Sequence, residues 1–182
     1  GTQDFQLTDE QRRLLASVRA FADRECAPRA AAWDREERVP EPPVMLAPES
    51  QAMLAAVDAA FADVGGHIEA VQLRSALGAA MGIAQLANRY LDERAPWVAV
   101  RSDREHAAET LYVAINVVSG LATLLQPFLP FTSREAWAFC GHAGDIQAAG
   151  WVRSPVAAGT PLPEPHPLYK KLDDALVDDE ES

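Results

Sequence analysis

Two long stretches without proline, residues 49–95 and 97–126, are fenced by prolines and filled with apolar residues three and four apart, which confines most of this chain to helix. From Pro48 onward, Leu54, Val57, Phe61, Val64, Ile68 and Val71 fall on one stripe. Gly65 and Gly66 interrupt that stripe, each weakening a helix by roughly 1 kcal/mol relative to alanine, and predict a kink or a close crossing. A second run over 73–94 carries Leu77, Ala80, Ala84, Ala87 and Leu91, a face of mostly small residues that lets a neighbour approach closely. A third over 103–126 carries Leu111, Ala114, Ile115, Val118, Leu121, Leu124 and Leu125 and is closed by Pro127 and Pro130. Thr132 and Glu135 have the spacing of a capping box for a short helix containing Trp137.

The flanks follow the same logic. Residues 8–25 form an amphipathic pattern, with Thr8 and Gln11 as a capping box and Leu14, Val18 and Phe21 at helical spacing. Pro28 suits the first position of a short helix running to Trp33. The prolines of "VPEPPVMLAPE", residues 39–49, mark a linker. Only a brief stretch at 151–156 alternates like a strand. Four prolines in 157–169 predict an extended run. The expected fold is an all-α antiparallel helix bundle. Its expected parts are an N-terminal helical segment (1–38) completing or flanking the bundle, the bundle itself (39–156), and a proline-rich extension with a disordered acidic tail (157–182).

Charge and chemistry narrow the function. Six of the eleven excess negative charges lie in residues 172–182, so the body is only mildly acidic. Duplex-gripping domains carry a basic excess, and nucleic-acid contact by this chain is expected to be weak or assisted by a partner. Cys26 and Cys140 have no cysteine companions, and "CGH" at 140–142 offers only two soft ligands, so neither a disulfide framework nor a metal site is expected. The sequence has no glycine-rich phosphate loop, and "DVGGHIEA" fits no nucleotide fingerprint. His67 reads as a structural histidine beside two glycines. Ser75, Ser102 and Ser133 lack a visible base and acid. No catalytic residue, cofactor or metal is expected. Without a signal-peptide pattern or a run of about 18 apolar residues, the expectation is a cytoplasmic protein with no membrane segment.

"NRYLDERAPW", residues 88–97, poses the sharpest question. A tryptophan after a proline at a helix end ordinarily plugs the core. Held rigid and exposed, the same ring is a platform on which a base stacks for about 1–3 kcal/mol. Arg89, Arg94 and Arg101 lie at or near that helix end, where they can meet phosphates. The residues by themselves leave both readings open.

Residues 38–171 resemble the C-terminal anticodon-binding domain of methionyl-tRNA synthetases. The likeness is carried by "RVPEPP", "ALGAAMGIAQLANRYLDERAPW", "TLYVAINVVSGLATLLQPFLPFTSREAW" and "PEPHPLYKKL", in order. It implies a helix bundle of the class I synthetase anticodon-binding type, tRNA as partner, Trp97 as the ring that stacks on an anticodon base, and Pro96, Arg89, Arg94 and Asn88 as its nucleic-acid-binding surroundings. The family's "HIGH" and "KMSKS" sequences do not occur, so no aminoacylation by this chain alone is expected. The asparagine that the family's first bundle helix supplies together with an arginine has no counterpart, since no asparagine precedes Asn88. Residues 5–40 instead resemble the N-terminal helices of acyl-CoA dehydrogenases, without that family's flavin, acyl-CoA or catalytic-base regions. That stretch reads as a structural graft, with Arg12, Arg13 and Arg19 on a solvated face. Two other readings stand beside the RNA one: a helical interaction or scaffold protein docking on a protein partner or on itself, and a flavin-dependent dehydrogenase fragment.

Overall fold

Three prolines fall where helices begin. The computed structural model describes residues 38–164, and helices there run α1 Pro48–Glu69, α2 Leu73–Arg94, α3 Pro96–Ala99, α4 Arg104–Leu125 and α5 Pro130–Phe139, followed by a 3-10 turn at Ile146–Ala149. Pro48, Pro96 and Pro130 each open a helix at a position where a missing amide costs no hydrogen bond. Asp103 starts α4 differently: its carboxylate accepts from the His106 amide at 3.0 Å, a cap contributing about 1 kcal/mol.

Helix α4 is the axis, packing against α1, α2, α3 and α5. Around it Met53, Val57, Phe61 and Val64 of α1, Ala76, Ala80 and Tyr90 of α2, and Val113, Val117 and Leu124 of α4 form the main core. Large apolar side chains there contribute roughly 1.5–3 kcal/mol each. Helix α4 is long and apolar enough to cross a membrane by length and composition. More than half of that stretch is buried inside the bundle, together with the polar Glu109, Thr110, Asn116, Ser119 and Thr123.

Several expectations are corrected. The α1 stripe ends at Ile68; Val71 lies outside the helix, exposed, with a left-handed φ of 59° in the turn to α2. In α2 the inward face is Ala76, Ala80 and Tyr90, leaving Leu77 exposed. In α4 Leu111 and Val118 are exposed, because a helix covered from several sides has no single inward stripe. The Thr132–Glu135 capping box does not form. Helix α5 begins two residues earlier at Pro130, after Leu129, with no side-chain cap.

Gly65 does admit a close approach, by a tryptophan and not by a helix. A methyl there would lie 2.9 Å from Nε1 of Trp151, whose indole N–H donates to the Phe61 carbonyl at 2.8 Å. The Trp151 and Phe61 rings meet edge-on at 5.5 Å. Residues 151–156 form no strand. They are pinned by side chains: Arg153 pairs with Asp58 through two bonds of 2.7 and 3.0 Å, the Ser119 hydroxyl donates to the Ser154 carbonyl at 2.7 Å, and Asn116 holds both the N–H and the carbonyl of Val156. Further on, the Val39 amide donates to Thr160 and the Gly159 amide to Val39, and Arg38 and Pro161 form an isolated bridge, with no strand among the described residues. The expected helices at 8–25 and 28–33 and the acidic tail lie outside the described residues.

Candidate nucleic-acid interface

The site is built at the end of α2. Arg94 is its last residue, and Ala95 follows in a left-handed conformation, φ 40° and ψ 59°, which ends the helix ahead of Pro96. Pro96 is buried and opens α3, a single turn whose second residue is Trp97. Trp97 is 57% exposed, and Val98 beside it is exposed as well. Of the two readings the sequence leaves open, the core plug is therefore excluded. Asn88 and Arg89 are exposed on the last turns of α2, and Arg89 makes no hydrogen bond or ion pair among the described residues. Arg89 edges a groove of about 230 Å³ that it shares with Glu49, Met53, Tyr90 and Glu93. Arg101 is exposed but engaged.

Arg94 differs from the expectation that it meets phosphate. Its guanidinium is turned inward, donating from Nη2 to Glu109 Oε2 at 2.9 Å and from Nε to Thr110 Oγ1 at 3.1 Å, and it lies over the Tyr90 ring at 5.8 Å. Its side chain is 11% exposed and that of Glu109 8%. The other carboxylate oxygen of Glu109 accepts from the Ala47 amide at 2.6 Å, just before α1. Burial alone would raise the Glu109 carboxyl; the Ser50 hydroxyl, the Ala47 amide and the Arg94 cation outweigh it and hold the group below its ordinary range. Burial pushes the neighbouring Tyr90 hydroxyl up, and this hydroxyl lies 2.8 Å from Ser50 Oγ. His106 completes the cluster, with Nε2 3.0 Å from the Arg94 carbonyl. Sequence reasoning missed this network. Its one signal was an acid, Glu109, four residues before Val113 and so on the stripe that the apolar run continues.

Elsewhere the residues weighed for chemistry serve structure. Cys140 is buried, its thiol pushed up to about 12 by desolvation. His142 stacks on Trp137 at 3.9 Å and lies 2.8 Å from the Ser119 hydroxyl; burial lowers its affinity for a proton. His67 Nδ1 bonds Gln72 at 2.8 Å. Ser133 is buried within α5, and Ser75 and Ser102 are exposed. Among the described residues no three His, Cys, Asp or Glu side chains gather as metal ligands would.

The all-α bundle has the fold of an anticodon-binding type of domain, as its likeness to solved structures bears out. The chain belongs to the family described as the anticodon binding domain of methionyl tRNA ligase, whose model matches residues 39–181. It is 37% identical over 168 residues to a methionine–tRNA ligase of Roseiflexus sp. (strain RS-1), covering 78% of this chain and 28% of that protein. A ligase of Dehalococcoides mccartyi is 44% identical over 107 residues, covering 59% of this chain and 19% of that one. Crystal structures of Mycobacterium tuberculosis methionyl-tRNA synthetase superpose with TM-scores of 0.67 in the apo form and 0.71 with methionyl-adenylate, at 30% and 26% identity. They cover 78% and 90% of this chain and 30% and 34% of theirs. The chain thus spans less than a third of the length of those Roseiflexus and Dehalococcoides ligases. The family match begins at residue 39 and lends no support to the likeness of residues 5–40 to acyl-CoA dehydrogenases.

Proposed function

We propose that this chain is a tRNA-contacting module in which Trp97 stacks on a base of the methionine anticodon. The observation that carries the reading is the open face of Trp97 on a rigid mount: a buried proline before it and a one-turn helix beneath it. Asn88 supplies an amide for a base edge and Arg89 a cation for phosphate that is unpaired among the described residues, both exposed on the same end of α2. Pro96 acts as the mount, and Arg94 contributes from inside. The chain's own part is recognition and not acyl transfer. We place it in the cytoplasm. With a net charge of -11, binding is weak at ordinary salt or assisted by a partner that brings the positive charge.

Titration of methionine-specific tRNA at low salt tests this. Trp97→Ala should weaken binding about 5- to 150-fold, the range that corresponds to losing one stacked base. Its thermal midpoint should barely move, because an exposed side chain contributes little to folding. Should neither protein bind RNA, the reading falls. A second reading, a helical interaction module, draws on Leu73, Leu77 and Met81, exposed one turn apart on α2 beside Gly78 and Gly82, where an added methyl would meet open space. In its self-associating form it predicts a concentration-dependent increase in mass by sedimentation, which the RNA reading does not.

A further inference from the structure

Holding two helices together with a buried ion pair is inefficient, since apolar side chains of the same volume do it as well or better. The Arg94–Glu109 pair is nevertheless almost covered, and it sits on the final residue of α2. The residue after it, Ala95, has a left-handed backbone that a side chain adopts only where its surroundings impose it. Three contacts impose it here. The Arg94 guanidinium is held on two sides, by Glu109 and Thr110 of α4; the Arg94 carbonyl meets His106 Nε2; and Pro96 is buried. Glu109 is itself tied to the Ala47 amide ahead of α1. A planar guanidinium gripped through two different nitrogens fixes rotation as well as distance, which an apolar plug does not.

We infer that Arg94 and Glu109 are positioning residues: their pair sets the direction in which the chain leaves α2 and hence the aim of the Trp97 ring, so RNA affinity depends on them through Trp97 and not through phosphate contact. The inference rests on the stacking reading above. The full chain is titrated with an RNA stem-loop presenting the anticodon CAU, as Glu109→Gln and as Arg94→Met with Glu109→Gln, each with Trp97 and with Trp97→Ala. The paired variant removes both charges together and remains informative should Glu109→Gln alone lower the folded fraction. The expected result is a loss of about fivefold or more when Trp97 is present and under about twofold when it is absent, with an unchanged slope of affinity against salt. An equal loss in both backgrounds, a salt slope reduced by about one phosphate, or no loss at all overturns the inference while leaving Trp97 in its role. If Trp97→Ala by itself has no effect, the stacking reading fails first and takes the inference with it.

Discussion

At Ala95 a methyl group sits where glycine is the usual occupant. A left-handed alanine costs roughly 1–2 kcal/mol, and the cluster around Arg94 and His106 sustains it. Ala95→Gly relieves that strain but adds freedom to the unfolded chain, so stability should rise by no more than about 1 kcal/mol. RNA affinity should fall despite the gain, because the joint beneath Trp97 loosens. Chemical denaturation and tRNA titration on the same preparation check both signs. Trp97 and Pro96 were legible in the sequence, since a proline at a helix boundary sets apart whatever follows it. Whether the ring faces out was not, because exposure depends on what α4 brings alongside.

The helices show how far pattern reaches. The ends of α2 and α4 were readable to within a residue and those of α1 and α5 to within about two, because proline and short turns punctuate them; the inward faces of α2 and α4 were not. Helix α4 buries Thr110, Asn116 and Ser119 as fully as Val113 and Val117, so polarity no longer marks the outside. Glu109 was overlooked for the same reason: an acid in a helix ordinarily means a solvated face, and here it is a buried tie. The one-turn α3 is too short for any period to announce it. Two glycines test the packing at this scale. Gly66 faces open space, and Gly66→Ala should stabilise α1 by about 1 kcal/mol. At Gly120 a new methyl would run into Val57 where α1 and α4 meet, and Gly120→Ala should cost about 1–3 kcal/mol even after its gain in helix propensity. Thermal melts of the two variants should move in opposite directions.

At the scale of the molecule, His142 and Glu109 are the two described groups that link folding to acid pH, and they do so with the same sign. His142 and Glu109 both bind protons less readily folded than unfolded. Their contributions are complete above the unfolded values, 6.5 and 4.5, and are lost as pH falls through the lower folded values. The melting temperature should therefore decline in one step below pH 6.5 and again below 4.5. His142→Gln should abolish the first step, and Glu109→Gln should blunt the second. The segment after α5 bears on the same question of what holds the fold together. The Asn116 amide answers both main-chain groups of Val156 much as a neighbouring strand would, and it does so from the interior of α4. Trimming the polypeptide back to α5 would remove both partners that Val156 gives that amide and uncover the polar side of α4, so a shortened version of this domain should keep its stability only if it runs at least to Val156.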